Sequence, residues 1–264
     1  MDVGERSEGN FFLLVTGLSL PLWLLGAVLG GELLPGLPVA ALQFLVPCLV
    51  ASALVLRREG RVALGEFLRR LLDARRVPGP GWWLLAALAV PALWAGSWVS
   101  MVALGRQLPA PQVAWSDLPL LAALFLFTGA VEELGWRGYA YEPLARRWGA
   151  LGGALALGAF WVAWHVVPHL TGGREAAWIA WWALGSLSLR VLHAWLYQHT
   201  RRSLLAQAVF HASFNVAWQL FPVRGSTYDP AVLSPLIAGL ALLAAWGLGS
   251  RATVTRLPAS GASD

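Results

Sequence analysis

The sequence predicts an all-α membrane protein, a bundle of about eight transmembrane helices. Of its 264 residues, 58% are hydrophobic and only 12% are charged, and the mean hydropathy is +0.61. A soluble domain carries about 25% charged residues, so this chain has half of the usual share. The hydrophobic residues also fall into blocks of about 20, the length that a helix needs to cross the hydrocarbon core of a bilayer.

Charged residues and Pro/Gly punctuation separate eight such blocks. The start of the fifth block is the least defined, because residues 139–151 could instead form an interfacial segment with Arg146, Arg147 and Trp148 at the headgroups. From the N-terminus onward, the predicted spans are 11–30, 37–56, 82–104, 119–141, 152–170, 176–199, 204–221 and 231–249.

The arginines are the third observation, and they orient the bundle. All nineteen basic residues are arginine. With the N-terminus in the cytoplasm, fourteen of them lie in cytoplasmic segments and three lie outside, while Arg137 and Arg190 fall within spans. Because cytoplasmic loops are rich in arginine and lysine, we predict that both termini are cytoplasmic. This topology also explains the net charge of +5 without a nucleic-acid partner.

Little of the chain is predicted to lie outside the membrane, so we treat residues 1–264 as a single membrane domain. The largest soluble piece is a basic cytoplasmic loop at 57–81. Here Phe67 and several leucines alternate with arginines, as in a short helix that lies on an anionic leaflet. Residues 258–264 are predicted to be a disordered tail. Cys48 is the only cysteine, so neither a disulfide nor a thiolate metal site is expected.

The fourth predicted span contains three charged residues, Glu132, Glu133 and Arg137. A charge at bilayer depth costs about 2.5 kcal/mol or more and marks a functional site. Glu133 and Arg137 are four residues apart, where a carboxylate and a guanidinium can meet, so we interpret them as a supporting ion pair. Adjacent helical residues point about 100° apart, which leaves Glu132 free to face another neighbour. A desolvated carboxylate of this kind suits general-base catalysis.

Histidines follow in two later spans. His165 lies deep in the fifth, and His211 shares one face of the seventh with Asn215. Each could be a packing or clamping group, as polar residues of membrane helices often are. Beside Glu132 they are candidates for a hydrolytic site. Glu132, His165 and His211 could hold one divalent metal such as zinc. A metal-free scheme, in which Glu132 activates water while His211 and Asn215 stabilise the oxyanion, fits the sequence equally well.

The sixth span carries another polar pair, Arg190 and His193. Arg190 is a candidate for binding a substrate carboxylate, with a structural ion pair as the alternative. At 1.5 Å per residue, Glu132 lies about 20 Å below the outer surface and His211 about 10 Å above the inner one. The site is therefore predicted to be nearer the cytoplasmic side.

Three motifs in this order resemble the CPBP family, which comprises type II CAAX prenyl proteases and bacteriocin-processing or immunity proteins. They are Glu-Glu-x-x-x-Arg at 132–137, an aromatic residue four positions before His165, and His-x-x-x-Asn at 211–215. The resemblance covers a protease core at about 119–221. The second motif of the family usually begins with Phe, and Trp161 holds that place here.

The resemblance implies an intramembrane endopeptidase whose eight helices enclose a cavity open to the cytoplasm. It implies that Glu132 activates water, that His165, His211 and Asn215 complete the site, and that the following glutamate and arginine support it. The expected partners are a hydrophobic or lipid-modified peptide and membrane lipids. The lack of lysine indicates a high-GC bacterial sequence and hence a bacterial cytoplasmic membrane. The alternative is a non-catalytic immunity or binding protein, or a proton-coupled carrier that uses the same polar residues.

Overall fold

A computed structural model describes residues 8–29, 32–34, 37–223 and 227–250. The predicted all-α fold is confirmed. Within these ranges, two very short antiparallel strands, β1 (Glu32–Leu34) and β2 (Leu37–Pro38), follow the first helix. The α-helices are α1 (Glu8–Leu29), α2 (Leu45–Arg69), α3 (Pro80–Ala103), α4 (Leu118–Gly135), α5 (Glu142–Thr171), α6 (Ala176–His199), α7 (Leu204–Leu220) and α8 (Pro230–Ser250). The predicted tail at 258–264 lies outside the described residues.

Glycines break two of these helices without ending them. Gly60 in α2 and Gly149 in α5 have φ angles of 86° and 72°, values that glycine adopts without the steric cost that a side chain would add. A wide π-helical turn, Trp136–Tyr141, joins α4 directly to α5. The fifth helix therefore begins at Glu142, earlier than the predicted residue 152, because the bend at Gly149 reorients the chain while helical hydrogen bonding resumes on both sides.

Five helical stretches of the described chain are long and apolar enough to cross a membrane, judged by length and composition. One of them contains α4 and α5 together. The helices α6 and α7 are not among the five, and α7 has only 17 residues. Both carry many buried residues, since α7 packs against α3 and α4, and α6 packs against α5 and α8. The five stretches are Glu8–Leu29, Val39–Leu72, Pro80–Ala103, Leu118–Thr171 and Pro230–Leu248.

The loops lie at two opposite ends of the bundle. The 24 residues of α6 run from one end to the other, a length of about 36 Å at 1.5 Å per residue. At one end, Asp73 accepts hydrogen bonds from the Ser203 hydroxyl at 2.7 Å and from the Leu204 backbone N–H at 3.0 Å. We call this the arginine-rich end. At the other, arginine-poor end, Arg106 pairs with Asp229.

The basic segment after α2's break differs from the predicted surface helix in one respect. Phe67 is buried within the protein, at 1% exposure, whereas Leu72 is 81% exposed. Arg70 donates hydrogen bonds to the Gly138 carbonyl at 3.0 Å and to the Tyr197 hydroxyl at 2.8 Å. The segment therefore packs its aromatic residue against the bundle, because neighbouring helices offer that ring a buried site at the arginine-rich end.

Candidate active site

A cavity of about 620 Å³ lies between the helices. All four residues predicted to be catalytic line it, namely Glu132, His165, His211 and Asn215. Aromatic side chains form much of the remaining wall: Phe125, Trp161, Trp182, Phe210, Phe214 and Trp218. Residues from α4, α5, α6 and α7 meet here partly because Gly129 lets α4 approach α7. A Cβ atom on Gly129 would lie 3.1 Å from the Ala208 carbonyl oxygen and 3.2 Å from His211 Cβ.

Glu132 is held by two tryptophans. Its Oε2 accepts a hydrogen bond from Trp136 Nε1 at 3.1 Å and is 3.4 Å from Trp161 Nε1. Trp161 occupies the position at which the CPBP family usually has Phe, a residue without an N–H to donate. Among the described residues, Oε1 has no hydrogen-bond partner from the protein. One oxygen of this carboxylate is thus fixed, and the other is available to a molecule in the cavity.

Glu133 points to a different set of partners, as the 100° rotation between neighbours requires. Its Oε1 accepts from Arg190 Nη1 at 2.7 Å and from His211 Nδ1 at 3.0 Å. The predicted pairing with Arg137 is loose, since the closest approach is 3.9 Å between Arg137 Nε and Glu133 Oε2. Because both carboxylate and arginine are fully buried, the tight bond to Arg190 is the main neutralising contact.

Arg137 instead clamps the backbone. Its Nη2 donates to the Arg190 carbonyl at 2.9 Å, and its guanidinium lies 4.3 Å from the Tyr141 ring centroid. Arg190 is similarly occupied, because its guanidinium also lies 4.4 Å from the Trp161 ring centroid. Arg190 lines the cavity, yet its ion pair with Glu133 corresponds to the structural alternative considered for it.

His165 has a defined tautomer. Its Nδ1 is 2.9 Å from the Trp161 backbone carbonyl oxygen. Because a carbonyl oxygen can only accept, Nδ1 carries the proton and, in the neutral imidazole, Nε2 is an acceptor. His165 also lies among the aromatic rings of Trp161, Trp164 and Trp182. The ring is therefore packed in place with an acceptor nitrogen to offer.

Asn215 differs from its neighbours in having no hydrogen-bond partner among the described residues, although it is half-buried in the cavity wall. An amide left without a protein partner inside a cavity is typical of a group that binds a ligand. His211, one turn earlier on α7, is tied to Glu133 through Nδ1.

Gln207 supports this site through His193, which lines the cavity, and was missed from the sequence. With its amide oxygen accepting from Tyr197 N at 3.2 Å, its amide nitrogen donates to His193 Nδ1 at 2.9 Å. The sequence spacing could have indicated its role. Gln207, His211 and Asn215 follow one another at intervals of four on α7 and so share a face.

The predicted metal ligands line one cavity, but among the described residues they are not the tightest cluster of possible ligands. The acidic and histidine side chains that lie within 4.8 Å of one another as a trio are Glu133, His193 and His211, rather than Glu132, His165 and His211. This trio fits a divalent cation poorly. Glu133 already faces two guanidiniums, which repel a cation, and the Nδ1 atoms of both histidines are engaged in hydrogen bonds.

The part of the chain that forms the site is similar to a known protein family. Residues 114–217 match the family of Type II CAAX prenyl endopeptidase Rce1-like proteins. The chain is also similar to the CAAX prenyl protease 2 of Methanococcus maripaludis, with 22% identity over 245 residues. That alignment covers 82% of this chain and 86% of the relative. These matches confirm the resemblance to the CPBP family that the three motifs carry.

Proposed function

From the Rce1-like core that residues 114–217 share with the CPBP family of intramembrane endopeptidases, we propose that the chain hydrolyses a peptide bond of a hydrophobic or lipid-modified peptide. The observation that carries the proposal is the convergence of Glu132, His165, His211 and Asn215 on one cavity. These four side chains supply a carboxylate base, an acceptor imidazole and two further polar groups. The aromatic walls around them suit an apolar substrate.

Water activation is the role of Glu132 and His165. Oε2 of Glu132 is held by indole N–H groups, so Oε1 is the oxygen that accepts the proton of the attacking water. His165 Nε2 accepts the second hydrogen of that water, because Nδ1 is committed to the Trp161 carbonyl. A carboxylate held within hydrogen-bond reach of a water molecule can act as its general base.

The oxyanion is stabilised from α7. The Asn215 amide donates one hydrogen bond to it. His211 donates a second from Nε2, which requires an imidazolium with a proton on each nitrogen. The carboxylate of Glu133 accepts a hydrogen bond from His211 Nδ1 at 3.0 Å and so orients the imidazole ring. Glu133 is therefore a positioning residue that acts through His211.

The reaction balances without a metal. Water transfers a proton to Glu132 while its oxygen bonds to the carbonyl carbon, and the carbonyl oxygen becomes the oxyanion. The carbon–nitrogen bond then breaks, and the proton held by Glu132 passes to the departing amine. The products are a peptide with a new carboxyl terminus and a peptide with a new amino terminus.

The test is cleavage of a library of lipid-modified and hydrophobic peptides by detergent-purified protein, with cut sites located by mass spectrometry. Glu132→Gln and His165→Asn should each abolish cleavage at unchanged melting temperature. Glu66→Gln and His199→Asn are matched controls, because neither residue lines the cavity, and they should retain activity. Cleavage that persists in Glu132→Gln would refute the proposed mechanism.

The same experiment separates the proposal from a binding or immunity role. A folded wild-type protein that retains peptides of the library without cutting any of them would favour the non-catalytic alternative. In that case Glu132→Gln would also leave peptide binding and any protective effect in cells intact.

A further inference from the structure

We propose that a groove between α1 and α2 binds one anionic phospholipid. Its headgroup phosphate would lie on Arg57 and Arg58, and an acyl chain would follow the leucines beside them. The inference is independent of the proposed peptidase activity, because none of the described residues that line this groove also lines the cavity of the catalytic side chains. It gives a ligand to the arginine pair that follows the second apolar block of the sequence.

The groove has the size of a ligand site. Its volume is about 460 Å³, and cavities that hold small molecules have volumes of about 300 to 1,000 Å³. Each of the two helices contributes three residues at positions i, i+3 and i+4, which lie on one face of a helix. The lining residues are Asn10, Leu13 and Leu14 from α1, and Leu54, Arg57 and Arg58 from α2.

The polar residues of the groove lie together at one of its ends. Trp23 donates a hydrogen bond to Gln43, so the C-terminal part of α1 lies beside the residues that lead into α2. The two helices therefore run in opposite directions. Asn10, near the start of α1, is then at the level of Arg57 and Arg58, and the three leucines lie one turn further along the groove.

The change from apolar to polar sequence occurs at this same level on both helices. In α1 the apolar run begins directly after Asn10, and in α2 the run 45–56 is apolar except for one serine and ends at Arg57. Gly60, with a φ angle of 86°, then bends the chain. A phospholipid has its phosphate at the edge of the hydrocarbon core and its acyl chains inside it. The two parts of the groove thus match the two parts of a lipid, whichever side of the membrane this edge faces.

The charge of the polar part selects an anionic headgroup. Guanidinium groups bind phosphate through strong, often bidentate hydrogen bonds, and both arginine side chains are exposed. The acidic residues nearest in sequence, Glu8 and Glu59, are not among the residues that line the groove. In the apolar part, Leu13 is 74% and Leu14 is 45% exposed, so these side chains are accessible to an acyl chain.

Native mass spectrometry of the full chain tests the proposal, because it counts the lipids that stay on the protein when the detergent micelle is removed. The probes are dioleoyl phosphatidylglycerol, which is anionic, and dioleoyl phosphatidylcholine, which is zwitterionic. Dihexanoyl phosphatidylglycerol offers the anionic headgroup on short chains, and inorganic phosphate offers the anion alone. We expect one dioleoyl phosphatidylglycerol to be retained, the other two lipids to bind more weakly, and phosphate to displace none of it.

Variants locate the bound lipid. Arg57→Gln combined with Arg58→Gln should lower the affinity about 30-fold, because each arginine near an anionic lipid contributes about five-fold. Arg146→Gln combined with Arg147→Gln is the matched control, since these neighbours are also exposed but do not line the groove, and it should retain the lipid. Both double variants should melt at the wild-type temperature without added lipid.

Three results would overturn the proposal. An equal loss of affinity in the two double variants would indicate a diffuse effect of charge. Equal retention of phosphatidylcholine, or displacement by phosphate, would show that the groove does not select an anionic lipid. A second copy of the chain retained in place of a lipid, and lost with the same arginine pair, would identify the groove as a contact between proteins.

Discussion

The buried carboxylate of Glu133 gives the sharpest prediction, because two arginines surround it at different distances. Arg190 Nη1 is 2.7 Å from Glu133 Oε1, whereas Arg137 Nε is 3.9 Å from Oε2. The sequence spacing favours Arg137 as the partner, and the structure favours Arg190. A pairwise coupling energy for each arginine with Glu133 decides between them.

The magnitudes follow from these distances. At an effective dielectric constant of 20, the two Coulomb energies are about 6 and about 4 kcal/mol. The pair of Glu133 and Arg190 also forms a charge-assisted hydrogen bond, which contributes about 1.5 to 3 kcal/mol, while a distance of 3.9 Å is too long for a hydrogen bond. The coupling of Glu133 to Arg190 should therefore exceed its coupling to Arg137 by about 2 kcal/mol or more.

The assay is a double-mutant cycle on unfolding in mixed detergent micelles. It uses Glu133→Gln, Arg190→Met, Arg137→Met and the two double variants, so that each coupling energy is separated from the cost of removing the arginine itself. Arg147→Met is the control. Arg147 is exposed, so this change should alter the free energy of unfolding by no more than about 0.5 kcal/mol.

Equal couplings for the two arginines, or a larger one for Arg137, would refute the reasoning. Such a result would mean that Glu133 turns toward Arg137 in the membrane. His211, which shares Oε1 of Glu133 with Arg190, would then lose the neighbour that holds its ring.

Four further predictions concern the site and its surroundings. Asn215→Ala should lower kcat by about 10² to 10³-fold, as loss of an oxyanion donor does, with an unchanged melting temperature; a large loss of stability would contradict its lack of a protein partner. Trp136→Phe removes an N–H donor to Glu132 and should lower kcat/KM by about 10 to 100-fold; an unchanged value would count against the bond. Gly129→Val should lower both melting temperature and activity, because its side chain meets a backbone carbonyl of α7; Gly96→Ala, where nothing is within 4 Å, should do neither. Chelation with 1,10-phenanthroline should leave the cleavage rate unchanged, and elemental analysis should find no stoichiometric metal; loss of activity that zinc restores would oppose the metal-free scheme.

Much of the fold could be predicted because its determinants are local along the chain. Block length and Pro/Gly punctuation located most of the helices to within a few residues, as for α6, predicted at 176–199 and observed at Ala176–His199. The second span, predicted at 37–56, was wrong: α2 runs over Leu45–Arg69, because the helix continues past the bend at Gly60. The start of α5 could not be predicted in this way. Whether the glycine at 149 ends a helix or only bends it depends on how the two halves pack, and local composition does not contain that information.

The candidate site was predictable to the level of its motifs but not of its contacts. The three motifs and their resemblance to a known family grouped Glu132, His165 and the pair on α7, and these residues line one cavity. The partner of Glu133 could not be predicted, because Arg190 lies 57 residues away on another helix. Spacing within one helix reveals only the partners on that helix. The role of Gln207 was hidden for the same reason, since its neighbours His193 and Tyr197 belong to α6.

A layer of fully buried aromatic side chains at the arginine-rich end bears on how turnover ends. Its members are Phe67, Trp136, Tyr139 and Tyr197. None of the described residues that line the cavity belongs to the segments 57–79 or 200–205 at this end. A cleaved fragment therefore leaves through the half of the molecule by which the intact peptide arrived. A fragment that keeps the apolar flank remains attracted to the same tryptophan and phenylalanine walls, and it competes with the next peptide for them. We therefore expect competitive inhibition by the apolar product, so that clearance of fragments from the bilayer sets the pace of cleavage in the cell.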